Sequence, residues 1–304
     1  MSKTISASFL KKKYLTFLSS QEVQTEPFYD KLGQLKNFYL PICEKIYHDY
    51  KKNKIIKIIG LTGGQGAGKS TITQILKLIL NYKYNLKVVY FSIDDFYKTL
   101  KERNKLSKNV HKLFKTRGVP GTHDTELLKK TFSDLVKKNF KPVLIPSFDK
   151  SKDDRVSKKK WKKIYKQPQI IIFEGWCVGA MPQKNKNLVN PINTLEKNED
   201  PKLLWRNKVN KELKSEYRKI FNKIDRLIFL KVPNFECVYK WRLLQEKKLQ
   251  LTSRGKKIMS PVQVKQFIMY YERITMQMLK DLTSKAYAVL YLDKKHRFSK
   301  IKFN

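Results

Sequence analysis

Cysteine is scarce in this chain of 304 residues. Cys43, Cys177 and Cys237 are an odd number, form no C-x-x-C pair and lie near no histidine cluster. That argues against a disulfide framework and a zinc site, and it fits a reducing, cytoplasmic setting. Acidic residues are also few, 26 against 66 lysines and arginines, for a formal net charge of +40. Long apolar runs are missing, since none approaches the ~18 residues of a membrane span. Lys11–Lys13 interrupt any apolar core of a leader, so no signal peptide is expected.

The basic excess raises polyanion binding as a hypothesis, because positive surfaces attract phosphate backbones without sequence preference. The lysines are spread along the whole chain, however, and no arginine-rich or aromatic-interleaved module accompanies them. Non-specific polyanion binding fits this composition, whereas a dedicated nucleic-acid partner is not expected. With 41% apolar and 12% aromatic residues, the chain can bury a sizeable core although 30% of it is charged.

The stretch from Lys54 to Leu80 organises the rest. Ile55, Ile56, Ile58 and Ile59 form a β-branched run of the kind a buried strand uses. Gly63, Gly64, Gln65, Gly66, Ala67, Gly68, Lys69 and Ser70 then fit G-x-x-x-x-G-K-[ST], with Thr71 following. Ile72, Ile75, Leu76, Ile79 and Leu80 continue at helical spacing, so the motif lies between a strand and a helix start, where its chemistry requires it. Glycines let backbone N–H groups curl around phosphate oxygens, and the helix N-terminus adds partial positive charge. Lys69 would reach the β- and γ-phosphates of a nucleotide such as ATP, and the Ser70 hydroxyl would ligate Mg²⁺.

Residues 1–53 read as a helical segment, broken at Pro41, that packs on a domain spanning 54–304. Beyond the phosphate loop a second strand, Lys87–Ile93, ends in Ser92-Ile93-Asp94-Asp95-Phe96-Tyr97. Carboxylates at the C-terminal end of a strand point into the crevice where open α/β sheets bind ligands. The loop Arg117 to Asp124 leads into a helix that Thr122 or Asp124 can cap, with His123 a candidate substrate contact. A short strand, Pro142–Phe148, opens onto the mixed charges of Asp149 to Arg155, which suit an anionic substrate. Gln169–Phe173 forms a strand ended by Glu174, as in the second NTPase strand whose carboxylate holds Mg²⁺ or its water.

Residues 182–202 read as a long surface excursion. Asn222 to Asp225 spell N-K-x-D, the guanine-reading motif of GTPases, but here the motif precedes its strand, Arg226–Val232, instead of following it. That makes the match a coincidence. The helix Pro233–Gln250 carries Arg242, and Arg254–Lys257 could act as a lid that brings arginine onto the phosphates. After a helix capped by Ser260, the strand Tyr287–Leu292 is expected to end the sheet. Strands alternating with helices predict a doubly wound, mostly parallel α/β sheet of the P-loop NTPase kinase type, with an N-terminal helical extension.

Taken together these stretches resemble the glycerate kinase family, a branch of the P-loop kinases related to uridine kinase, phosphoribulokinase and bacterial pantothenate kinase. The pieces that carry the resemblance are GGQGAGKST, SIDDFY, RGVPGTHDTELL, PSFDKSKDDR and IIIFEGWCVG, in family order. The resemblance implies ATP-dependent phosphorylation of D-glycerate to 3-phosphoglycerate, with Mg²⁺ and a small carboxylate as acceptor. By the same analogy Asp94 matches the carboxylate that activates the acceptor hydroxyl, beside Lys69 and Arg242 as catalytic candidates. Ser70, Glu174 and Asp94 are the metal candidates; Tyr97, Arg117, His123, Asp124, Lys150 and Arg155 are those for the substrate. A glycine-rich segment of the family is reduced here to Lys152-Asp153. The alternatives are a kinase for a nucleoside, pantothenate or sugar phosphate, or a nucleic-acid-stimulated NTPase.

Overall fold

Adjacent apolar residues along the central strands face opposite ways, and this places one core on each side of a six-stranded sheet. The computed structural model describes residues 7–22, 28–252 and 259–304, so the loop Arg254–Lys257 lies outside the described residues. The strands are β1 (Lys57–Gly63), β2 (Val88–Ser92), β3 (Ile170–Gly175), β4 (Arg226–Lys231), β5 (Ala288–Leu292) and β6 (Phe298–Phe303). Their order across the sheet is β6-β5-β4-β1-β3-β2, parallel except for β6.

Ile170, Ile172, Ile228 and Leu230 face one core, and Ile171, Phe173 and Phe229 face the other. The first core is covered by α1 (Ala7–Gln21), α2 (Leu40–Asn53), α3 (Lys69–Tyr84) and the start of α7 (Phe235–Thr252). The second lies under α5 (Thr125–Val136), α6 (Leu204–Glu212) and α8 (Pro261–Lys285). Between α3 and α5, α4 (Leu100–Asn109) starts at a capping box of Thr99 and Glu102.

Four expectations need correction. Pro41 does not break the helix, because a π-turn, Leu35–Tyr39, leads straight into α2 and Leu40 N–H donates to the Leu35 carbonyl. The turn absorbs the missing proline donor. The sheet does not end at Leu292, since β6 adds an antiparallel edge. Pro142–Phe148 is not a strand of this sheet. Val143–Ile145 pairs with Lys162–Ile164, and Phe148–Asp149 forms a separate hairpin with Asp154–Arg155.

The excursion 182–202 is not all surface either. Its short helix Thr194–Glu199 buries Glu196 against Arg273 of α8 (2.7 and 2.6 Å), and Asp200 accepts from Arg206 Nε of α6 (2.9 Å). Charges that read as solvated are paired in the interior.

Asp225 settles the N-K-x-D match. It exchanges hydrogen bonds with the backbone of Ile58 (2.7 and 2.8 Å) near the N-terminal end of β1, far along that strand from the phosphate loop.

Candidate active site

The phosphate loop grows directly from the end of β1. Gly66 and Gly68 both adopt left-handed backbone, φ 78° and 83°, and Gly68 is the cap of α3. A Cβ on Gly66 would lie 2.8 Å from Trp241 Cβ of α7. Strain and overlap together should make Gly66→Ala about 2–4 kcal/mol less stable. Thermal unfolding would show this as a lowered midpoint, together with weakened nucleotide binding.

Lys69 Nζ donates to the carbonyls of Gly63 and Gly64 (3.1 and 3.0 Å), folded back over the loop. Burial pulls its pKa down, and Glu174 and Asp94 pull it back up. Ser70 Oγ donates to Glu174 Oε1 at 2.9 Å. Glu174 ends the apolar run of β3 and is itself buried, which raises its pKa against the opposing charge of Lys69. Among the described residues no three or more His, Cys, Asp or Glu side chains form a metal cage. A hydroxyl beside a carboxylate is nonetheless a donor set of the kind Mg²⁺ takes together with waters and phosphate oxygens.

Opposite the loop, β2 ends in a one-turn 3₁₀ helix, Ile93–Phe96, closed by a capping box. Asp95 turns back to accept from Ser92 N–H (3.0 Å), and Asp94 points away from the turn. Adjacent carboxylates therefore take different roles. Asp94 Oδ1 accepts from the Tyr97 hydroxyl (2.9 Å) and Oδ2 from Lys150 Nζ (2.8 Å). Burial alone would raise its pKa, but the Lys150 ammonium, by charge and hydrogen bond, holds it well below the usual carboxylate range. Asp95 is pushed up to about 6 by burial, with Asp94 and Glu174 adding repulsion against the bond from Ser92.

A raised carboxyl pKa penalises the folded state once that group ionises. The penalty is absent below the unfolded value of 3.8 and complete above about 6. Asp95→Asn should therefore match wild-type stability at acid pH and exceed it by about 1–3 kcal/mol above pH 6. Unfolding measured across pH tests this.

Lys150 comes from the turn of the hairpin Phe148–Asp149/Asp154–Arg155. Arg155 is committed elsewhere, donating to the Tyr97 carbonyl (3.1 and 2.8 Å) and pairing with Asp124 (3.1 Å). Asp124 in turn caps α5 by accepting from Leu127 N–H (3.0 Å). These two candidate substrate residues brace the site instead of facing it. Arg117 pairs with Asp153.

His123 is buried behind Tyr97, their rings stacked with centroids 4.4 Å apart. Its Nδ1 lies 2.6 Å from the Tyr217 hydroxyl, which already accepts from Gly121 N–H at 3.0 Å. Burial drops the His123 pKa to about 3, so the ring is neutral.

Arg242 lies on α7, paired with Glu246 and over the Phe267 ring at 5.8 Å. Glu246 also accepts from Met259 N–H (2.9 Å), just before α8. Thus Lys69, Ser70, Glu174, Asp94, Tyr97 and Lys150 gather along the C-terminal ends of β1, β2 and β3. Arg242 has its backbone against Gly66 of the loop, while its side chain is paired with Glu246. Sequence reasoning missed Arg103, Asp153 and Tyr217, whose partners lie in other elements and leave no local pattern, and Glu246, whose spacing of four from Arg242 on α7 is a signal that could have found it.

The chain matches the phosphoribulokinase/uridine kinase family over residues 58–236. It is 40% identical to an uncharacterised kinase of Schizosaccharomyces pombe, over 70% of this chain and 78% of that one. It is 30% identical to the chloroplastic D-glycerate 3-kinase of Arabidopsis thaliana, over 70% of this chain and 46% of the plant protein. The solved D-glycerate 3-kinase of Cryptococcus neoformans shares its fold, with a TM-score of 0.73 at 23% identity, covering 87% of this chain and 97% of that one. The chain belongs to the phosphoribulokinase/uridine kinase family of P-loop kinases.

Proposed function

We propose that this kinase transfers the γ-phosphoryl group of ATP to D-glycerate, giving 3-phosphoglycerate and ADP. The observation that carries the reading is Asp94, held ionised and fixed in direction by Lys150 and Tyr97 beside the phosphate loop. The names of the plant and fungal relatives support glycerate as the acceptor.

Backbone amides of Gly64 to Lys69 hold the phosphates, and Lys69 leaves the loop carbonyls to meet them. Mg²⁺, held by Ser70 and Glu174 with Asp94 nearby, would offset charge on the phosphate oxygens. Asp94 orients the acceptor hydroxyl and takes its proton late in transfer, which a weak base can do when the transition state is loose. The hydroxyl oxygen forms the new bond to phosphorus while the β–γ bridging bond breaks, and ADP keeps that electron pair. Lys150 pairs with the glycerate carboxylate as it turns from Asp94. Arg242, released from Glu246, stabilises charge on the transferred group. Three buried thiols, Cys43, Cys177 and Cys237, suit work in a reducing cytoplasm.

The test is ADP release with ATP, Mg²⁺ and a panel of D-glycerate, uridine, pantothenate and ribulose 5-phosphate. Turnover concentrated on glycerate is the expected result. Silence with glycerate beside activity on another member would overturn the substrate assignment. ATP hydrolysis stimulated by RNA, with a steep salt dependence, would instead point to a nucleic-acid-dependent NTPase.

A further inference from the structure

Three cations on the acceptor side of the site have an acid opposite them. Lys150 faces Asp94, Arg155 faces Asp124, and Arg117 faces Asp153. The last acid belongs to none of the reacting groups. Phe148 joins it to the site. Its ring meets Tyr97 edge-on at 5.2 Å and carries the guanidiniums of Arg117 and Arg103 at 5.5 and 5.8 Å.

Asp153 is held firmly in this place. Its backbone is left-handed, φ 54°, a conformation that aspartate tolerates better than most residues. Its carboxylate lies 3.0 Å from Arg103 Nη2, which also donates to the Asp153 carbonyl. Arg103 is fully buried and is itself fixed by the carbonyls of Lys98 (3.2 Å) and Lys115 (2.7 Å). One hairpin turn therefore delivers a cation to Asp94 and a fixed carboxylate to Arg117. The charge of Arg117 in turn reaches both Lys150 and Tyr97.

We propose that Asp153 is a specificity-determining residue: by occupying Arg117 it reserves the acceptor pocket for small monoanions and rejects phosphorylated acceptors. This rests on the reading of the site as a small-carboxylate kinase. A phosphate monoester is a dianion that seeks a bidentate arginine. At Arg117 it must share the guanidinium with a carboxylate that Arg103 holds in place, and two like charges on one cation repel. A monocarboxylate needs only one cation. Lys150, with 62% of its side chain exposed, is free to turn toward it.

The experiment compares kcat/KM for D-glycerate and for glycerol 3-phosphate, a three-carbon alcohol with phosphate in place of the carboxylate. Asp153→Asn keeps an oxygen for Arg103, and asparagine suits the left-handed backbone. In that variant the ratio of glycerol 3-phosphate to glycerate should rise by roughly tenfold or more. Adding Arg117→Gln should cancel the rise, whereas a merely structural Asp153 would lower both acceptors together. Arg117→Gln alone leaves the carboxylate uncompensated and should deepen the rejection of glycerol 3-phosphate. An unchanged ratio in Asp153→Asn with wild-type unfolding behaviour overturns the proposal, as does relaxed rejection in Arg117→Gln alone. If wild type turns over ribulose 5-phosphate, itself a phosphate monoester, the proposal falls with the glycerate reading; if it turns over uridine or pantothenate and not glycerate, only the glycerate reading falls. The same ratio, read on that acceptor and its phosphate ester, then decides on Asp153.

Discussion

Asp94→Asn should lower turnover by about 10²–10⁴-fold and leave ATP affinity within a few-fold of wild type. The amide can still accept from the Tyr97 hydroxyl, so the side chain keeps its place. It can neither take the acceptor's proton nor hold Lys150 by charge. Because Asp94 touches no part of the phosphate loop by hydrogen bond, the nucleotide half of the site should survive. Single-turnover kinetics with saturating ATP, alongside titration with a non-hydrolysable analogue, separates the two halves. Near-wild-type turnover would remove Asp94 from its assigned role. The pH profile adds a second check. Asp94 stays ionised through the physiological range, so it contributes no acid limb near neutrality, and a limb near pH 6 would come from its neighbour Asp95.

Lys69→Ala should fail in both respects, with turnover down by about 10²–10³-fold or more and ATP bound at least about tenfold more weakly. Lys69 is the side-chain cation of the loop, and its carbonyl partners at Gly63 and Gly64 are neutral. Its lowered pKa has a further consequence for stability. The folded chain holds that proton less tightly than the unfolded chain, so keeping the buried lysine as an ammonium costs stability. Without nucleotide, Lys69→Ala should therefore unfold no earlier than wild type. Added ATP should raise the midpoint of wild type and leave that of the variant nearly unmoved. A variant that unfolds early without ligand would mean that the lysine bonds hold the loop together.

The features legible in the sequence were those with a local signal. Apolar runs located β1, β3 and β4, because a strand buried on both faces has few polar positions to interrupt it. The phosphate loop was legible because glycine spacing and helix start are fixed by one short stretch. β6 was missed for an equally physical reason. The register shift between Phe298 and Lys300 spoils the strict alternation that marks an edge strand. Glu196 and Asp200 read as solvent-facing because their partners, Arg206 and Arg273, belong to helices that no local pattern links to them. Arg155 and Asp124 look like substrate ligands in sequence, and only the fold reveals that each occupies the other.

The strand order also determines when the nucleotide site can come into being. β1 has no sheet partner close to it in the chain, since β3 and β4, which flank it, follow much later. On a ribosome adding about 5–20 residues per second, Gly63 to Ser70 would wait on the order of ten seconds for both neighbours. Until then the isoleucines of β1 have no lateral hydrogen-bonding partners from this sheet, a setting in which nascent chains recruit chaperones or misassociate. The helices α1 and α2 precede β1 in synthesis and share its core, so they can shelter one of its faces during that interval. Shortening the chain ahead of β1 should therefore reduce the yield of folded enzyme more than it reduces the activity of the molecules that do fold.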